Sequence, residues 1–242
     1  MDQLEGRNPV IEVLQRGRRR VTKVLMDRGA KPDRRVQRIL ELAAQAGLKV
    51  ERVPRDELDR RSDGRVHNGV IAYAEALPHY TTKHLLKAIF DRGEEPFLII
   101  ADEIQYEHNL GAILRSALGF GVNGVIVPTR RGADLSPVVQ RVSMGGVEMV
   151  PVVREGLHSA IKHIKAEGIR VIGADMGGTV VGDFDLRGPL AFVMGGEGRG
   201  LSSSLRNKCD GIVAIDLMGD LESLNVSVAA AVLMYEKRRQ EG

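Results

Sequence analysis

From Phe97 onward, short fully apolar runs alternate with apolar positions at helical spacing, and this alternation constrains the fold more than any other feature of the chain. Phe97-Leu98-Ile99-Ile100 is apolar at every position, the pattern of a strand buried on both faces. Ile113, Leu114, Ala117 and Leu118 follow as a helix face, and Val125-Ile126-Val127 is the next strand. Ser136-Pro137 starts another helix. The run continues through Ile161 and Ile164, Val171-Ile172, Leu190 to Met194, Ile212 to Ile215 and Val226 to Met234. Alternation of this kind predicts an α/β fold, a parallel sheet covered by helices on both faces. Ligands bind such sheets at the carboxyl ends of strands, so chemistry is expected in the loops that follow strands.

Three of these loops are unusual. The first runs from Asp102 to Arg115 and carries Asn109, Gly111 and Arg115 at the spacing N-x-G-x-x-x-R. If Asn109 caps the helix, Arg115 projects from its second turn. The second, Gly195-Gly196-Glu197-Gly198-Arg199-Gly200, follows the apolar strand Ala191 to Met194, and its glycines permit positive φ and close approach of a ligand to the backbone. The third, Met218 to Asn225, precedes the final helix. Each has a plain structural reading as well: a lone helical arginine is usually a surface ion pair, and Ser-x-Asn before a helix is usually a cap. The second loop does not fit G-x-G-x-x-G, and no G-x-x-x-x-G-K-[ST] occurs, which argues against ordinary dinucleotide and ATP sites.

The net charge of +3 conceals an asymmetry. Residues 1–80 hold 17 Lys+Arg and 12 Asp+Glu, whereas residues 81–242 hold 18 and 20; glycines divide as 6 and 22. A basic, glycine-poor front and a glycine-rich back predict two domains with different tasks: residues 1–78, a connector over 79–96 bracketed by Pro78 and Pro96, and residues 97–242. In the front, Asn8-Pro9 reads as a helix start, Thr22 to Met26 as a strand, and Asp33 as the cap of a helix with Val36, Ile39, Leu40 and Ala43 on one face and Gly47 as its stop. Leu48 to Val53 and Gly69 to Ala74 supply further strands. Arg16, Arg18, Arg19, Arg20 and Lys23 place five cations within eight positions, and Arg28, Lys31, Arg34, Arg35 and Arg38 form a second group. Such clusters either form a solvated surface or neutralise phosphates, and without a DNA-reading motif they fit folded RNA read by shape.

Composition closes other routes. The single Cys209 excludes an internal disulfide and a cysteine zinc site and suits a reducing cytosol. The longest apolar stretch, Val226 to Tyr235, is about half of the ~20 residues that span a bilayer. Met1-Asp2-Gln3-Leu4-Glu5-Gly6 lacks the character of a signal peptide, so a cytoplasmic protein with no membrane partner and no metal is expected.

Together, Asn109-Leu110-Gly111-Ala112-Ile113-Leu114-Arg115, Val193-Met194-Gly195-Gly196-Glu197-Gly198-Arg199-Gly200-Leu201 and Ser223-Leu224-Asn225-Val226-Ser227-Val228-Ala229 resemble the three ordered motifs of the SpoU (TrmH-type) RNA ribose methyltransferases of the SPOUT group. Leu4-Glu5-Gly6-Arg7-Asn8-Pro9-Val10 and His67-Asn68-Gly69-Val70 resemble the substrate-binding domain of its RlmB-like branch. The resemblance implies S-adenosylmethionine as methyl donor and a guanosine 2′-hydroxyl of large-subunit (23S) ribosomal RNA as acceptor. Transfer RNA, or a catalytically silent role in RNA binding or ribosome assembly, is the alternative. It also implies a homodimer with a site completed across the interface, and a deep trefoil knot in residues 97–242, which periodicity alone does not reveal. The implied catalytic set is Arg115, Asn109, Glu197, Ser223 and Asn225; the implied cofactor set is Met194, Gly195, Gly196, Gly200, Ile215, Leu217 and Leu224.

Two departures from the family pattern stand out. Tyr106-Glu107 replaces an Asp-Pro pair ahead of His108-Asn109, and Ile215-Asp216-Leu217 replaces Ile-Pro-Met, which frees φ and restores an amide donor at Asp216. The implied chemistry has one difficulty, that a ribose hydroxyl is almost fully protonated at neutral pH, so a base or a cation facing the developing alkoxide is needed. Deprotonating an ordinary arginine of pKa about 12.5–13.8 at pH 7 costs roughly 7–9 kcal/mol. Arg115 is therefore expected to act as an electrostatic clamp. Asn109 is expected to order the loop presenting it, and Glu197 to hold Arg115 or a nearby amide, or merely to cap its loop. Ser223 and Asn225 open the last helix, whose free amides favour anionic oxygens.

Overall fold

The computed structural model describes residues 1–196, 200–219 and 223–242. In chain order its elements are β1 (Asp2–Glu5), α1 (Arg7–Arg16), β2 (Val21–Asp27), α2 (Arg34–Gln45), β3 (Val50–Val53), α3 (Arg55–Arg61) and β4 (Val70–Ala74). There follow α4 (Thr82–Asp91), β5 (Phe97–Ala101), α5 (Glu107–Gly119), β6 (Gly124–Val127), α6 (Pro137–Val142), α7 (Gly146–Met149), β7 (Val152–Arg154) and α8 (Leu157–Ala166). The chain closes with β8 (Arg170–Val180), β9 (Leu190–Met194), α9 (Ser203–Arg206), β10 (Gly211–Ala214) and α10 (Val226–Glu241). It divides into two units, one of Met1–Pro78 with Leu135–Glu148 and one of His79–Asp134 with Met149–Gly242.

The first unit is built on a four-stranded sheet in the order β1-β4-β2-β3, antiparallel except for the β2–β3 pair. Val10, Val13, Val36 and Ile39 from α1 and α2 join Leu4, Val24, Met26, Val70 and Ala72 in one core. Leu58 of α3 meets Leu25, Val53 and Ile71 in a smaller cluster. Asp33 caps α2 as expected, accepting from the amides of Arg35 and Val36 at 2.9 Å each. Asn8 does not cap α1: the helix begins at Arg7 after Gly6, whose φ of +103° favours a residue without Cβ. The His67-Asn68-Gly69 motif is a turn with φ of +49° at Asn68 and +78° at Gly69. The His67 ring fastens it, accepting from the Gly69 amide through Nδ1 and facing Asp59 through Nε2 at 2.8 Å.

Leu135–Glu148 joins this unit although it stands far along the chain. Helix α6 lies against β1, and Arg141 Nη1 donates to the Val66 carbonyl at 3.0 Å. Arg19, expected among the RNA-facing cations, is instead 7% exposed and paired with Glu148 and Asp2. Several other front cations also face carboxylates, Arg7 with Asp33, Arg65 with Glu5 and Arg61 with Glu57 among them.

The second unit carries a six-stranded, wholly parallel sheet in the order β10-β8-β9-β5-β6-β7. Leu98, Ile100, Ala191 and Val193 face α4 and α8 through Leu85, Ile89, Ala160 and Ile164. Neighbouring positions point the other way, where Phe97 meets Phe192 edge-on and the Lys237 ammonium of α10 sits 5.2 Å from the Phe97 ring. Helix α10 packs on α5. Helices thus cover both faces, as the strand–helix alternation requires. Residues 79–96, expected as a connector with a helix from Thr81 to Phe90, contain α4 close to those bounds, and its Leu85, Leu86 and Ile89 lie in this core because they form an apolar stripe at helical spacing. The strand order has one unusual step: β9 enters between β5 and β8, both of which precede it, and β10 then lies outside β8.

Candidate active site

At the carboxyl ends of β9 and β10, beside the middle of β8, the second unit holds a cavity of about 640 Å³, within the range of small-molecule sites. All seven residues of the implied cofactor set, Met194, Gly195, Gly196, Gly200, Ile215, Leu217 and Leu224, line it. Each strand brings its own part: β9 ends at Met194, β10 ends at Ala214 and hands over to Ile215, and β8 places Asp175 on the wall. Asp175 is ion-paired with Arg206, which fixes a carboxylate beside largely apolar neighbours.

Besides lining the cavity, the glycines allow close backbone packing. The Gly196 amide donates to the Gly200 carbonyl at 3.2 Å, which brings these two positions together between the end of β9 and the start of α9. A Cβ on Gly195 would stand 2.3 Å from the Gly200 carbonyl carbon and 2.6 Å from the Leu201 amide nitrogen, both backbone atoms. Gly200 itself has φ of +63°. Gly195→Ala is therefore expected to part the loop base, costing about 1–3 kcal/mol as an overpacking change. Calorimetric titration with S-adenosylmethionine should show at least tenfold weaker binding, together with a lowered thermal midpoint. Unchanged affinity would show that this packing does not shape the cavity.

Of the implied catalytic residues, Asn109, Ser223 and Asn225 also line this cavity. Asn225 Nδ2 donates to Asn109 Oδ1 at 3.1 Å, joining two motifs that are 116 positions apart. The Asn225 carboxamide oxygen accepts from the Ser227 amide at 2.9 Å and the Ser227 hydroxyl at 2.7 Å, so Asn225 caps α10 and orients Asn109 with one side chain. Asn109 is not the cap of α5; that position belongs to Tyr106, and Asn109 stands in the first turn. Arg115 is exposed on α5 and is absent from the described lining of the cavity, while Glu197 lies outside the described residues. His108 borders a neighbouring hollow with Asn109 and Asn225.

Sequence reading missed Arg130 and Arg131. They stand in the loop after β6 and line a further cavity with Asp102, Glu103 and His158. A basic doublet in the loop after a buried strand, with two residues between them, was the available signal. Burial, reinforced by the Glu103 charge, raises the Asp102 carboxyl above its ordinary value, with His158 partly opposing the shift. Cys209 is half-buried and its thiol is pushed up to about 11 by burial, so it is no nucleophile at neutral pH. Among the described residues, no group of three or more His, Cys, Asp or Glu side chains could hold a metal, and no helix is long and apolar enough to cross a membrane.

The profile of the SpoU rRNA Methylase family matches residues 96–235, and that of the RNA 2′-O ribose methyltransferase substrate binding family matches residues 3–80. A Bacillus subtilis (strain 168) protein described as the putative TrmH family tRNA/rRNA methyltransferase YacO is 36% identical over 243 residues, covering 99% of this chain and 96% of the relative. An uncharacterized tRNA/rRNA methyltransferase of Mycobacterium avium (strain 104) is 40% identical over 241 residues, covering 97% and 76%. Among solved structures, the SpoU methyltransferase AviRb from Streptomyces viridochromogenes in complex with the cofactor AdoMet superposes with a TM-score of 0.81 at 28% identity, covering 99% of this chain and 90% of that one. An RNA 2′-O ribose methyltransferase superposes with a TM-score of 0.80 at 27% identity, covering 99% and 88%.

Proposed function

The chain belongs to the SpoU family and is an S-adenosylmethionine-dependent RNA 2′-O-methyltransferase, and from this we propose that its target is a guanosine ribose of large-subunit (23S) ribosomal RNA. The observation that carries the reading of the site is that one cavity, at the ends of β9 and β10 and beside the middle of β8, is lined by the whole implied cofactor set and by Asn109, Ser223 and Asn225. The residues fit the cofactor: apolar walls from Met194, Val213, Ile215 and Leu224 suit its adenosine part, and the Asp175 carboxylate suits a cation. When bound, S-adenosylmethionine supplies an electrophilic methyl group.

The chain's own residues prepare the acceptor. Asn225 holds Asn109, and Asn109 bears on the ribose or its phosphate from the first turn of α5. Arg115 meets the negative charge that builds on the attacking ribose oxygen. In one chain Arg115 does not line the cavity, which supports a homodimer in which a second copy supplies it. Helix α10 leaves Val228 and Tyr235 48% and 57% exposed, surface that a second copy would cover. Entry of β9 between two earlier strands supports the trefoil knot.

The description of the catalytic profile over residues 96–235 as an rRNA methylase favours ribosomal RNA, and the substrate-binding profile over residues 3–80 supports an RNA substrate. Labelled methyl transfer to transcripts of unmodified large-subunit ribosomal RNA and of transfer RNA, followed by mapping of the modified ribose, tests the assignment. Incorporation at a guanosine of the ribosomal transcript is expected. Methylation confined to transfer RNA, or at a pyrimidine, would overturn it.

A further inference from the structure

The loops after β5 and β6 line a second cavity of about 960 Å³, whose Asp102, Glu103, Arg130, Arg131 and His158 lie outside the implied cofactor set. It shares Tyr106, Gly196 and Gly200 with the cofactor cavity, so the two are contiguous. Its mouth is charged. Arg131 Nη1 donates to Glu103 Oε1 at 3.2 Å, with the Arg131 side chain 77% exposed. Arg130 is exposed beside it. Both members of the ion pair have left-handed backbones, φ of +46° at Glu103 and +61° at Arg131, a conformation that side chains with a Cβ rarely hold. Backbone strain of this kind collects at binding sites and switch segments.

Resting on the RNA-methyltransferase reading above, we propose that this cavity seats an RNA phosphodiester next to the target nucleotide, bound by Arg130 and Arg131, with Glu103 holding Arg131 until RNA displaces it. Three observations converge. The cavity lies at the carboxyl ends of β5, β6 and β9, beside the place where the ribose must meet the methyl group. A ribose in an RNA chain carries phosphates on both sides, so a strand reaching the cofactor cavity must lay a neighbouring phosphate close by. The arginine fork matches phosphate in a bidentate manner, and a guanidinium already held on a carboxylate is pre-oriented to exchange it for another anion. The methionine carboxylate of the cofactor shares this anionic chemistry, so the test must separate the two sources.

The full-length protein is titrated with a transcript of large-subunit ribosomal RNA at several salt concentrations, and separately with S-adenosylmethionine. In the doubly substituted Arg130→Ala, Arg131→Ala protein, RNA binding is expected to weaken at least tenfold. Its plot of log affinity against log salt should be shallower by about 0.7–0.9 for each phosphate that is no longer neutralised, with cofactor affinity unchanged. Glu103→Gln breaks the same ion pair from the other side and is expected to tighten RNA binding several-fold. If the pair only braces two loops, Glu103→Gln weakens RNA binding as the arginine changes do, and the proposal fails. It fails equally if the arginine variants lose cofactor affinity with the RNA slope intact, or if nothing changes. Absence of methyl transfer by the wild-type protein would overturn the substrate assignment instead, since RNA binding is read directly in every arm.

Discussion

Arg115→Ala is expected to slow methyl transfer by about 10²–10³, the loss of about 2.7–4 kcal/mol that follows removal of one group facing a developing oxyanion, whereas Arg115→Lys retains weak activity. Lysine keeps the charge and loses the planar fork. An electrostatic clamp therefore survives in part, while a role that needs the guanidinium itself does not. Equal loss in both variants, with RNA and cofactor binding intact, would point to the second. Helix geometry adds a sharper consequence. Asn109 and Arg115 are six positions apart on α5, about 9 Å along the axis and about 120° around it. Asn109 faces the cofactor cavity, so Arg115 faces elsewhere in the same chain. A composite site predicts complementation: Arg115→Ala and Asn225→Ala proteins, each inactive alone, should recover about a quarter of the wild-type rate when co-expressed, because half of the dimers are mixed and each has one intact site. No recovery from well-folded mixed dimers would place Arg115 and the cavity in the same protomer.

The parallel sheet was legible because its strands are buried on both faces, so Phe97 to Ile100 and Leu190 to Met194 announce themselves without partners. Helix α3 was not legible. Arg55 to Arg61 offers one buried residue, Leu58, and no apolar period to detect. The residues that line the cavity could be picked out from motif resemblance, yet the reason for Gly195 could not, because the close approach of Gly200 and Leu201 exists only in the folded chain. Asn109 looked like a cap since its residue type favours that position, but the helix starts earlier at Glu107. Ser136-Pro137 correctly marked a helix start. What it could not mark was the unit that helix joins, which is decided by packing against β1 and by the pairing with Arg19, more than a hundred positions away.

That distant pairing yields the largest expected effect on stability. Arg19 and Glu148 are 7% and 6% exposed. Arg19 Nε donates to Glu148 Oε2 at 3.1 Å, and Nη1 reaches both the Glu75 carbonyl, at 3.0 Å, and Asp2. One guanidinium thus ties β1, the end of β4 and α7 together. Arg19→Ala leaves the Glu148 carboxylate buried without its cation, and breaking a buried pair on one side costs about 3–5 kcal/mol. A lowered denaturation midpoint and faster proteolysis within residues 135–148 should report it. Replacing both partners, Arg19→Met with Glu148→Leu, removes the stranded charge and should recover most of the loss. The neighbouring Arg20 is exposed and provides the contrast. Arg20→Ala should leave stability unchanged, and where that side chain meets RNA it should flatten the salt dependence of binding by about 0.7–0.9. Had Arg19 been one of five phosphate-facing cations, its alanine variant would behave like that of Arg20. A fully stable Arg19→Ala protein with a flattened salt slope would restore the surface reading and remove Glu148 as the anchor of residues 135–148.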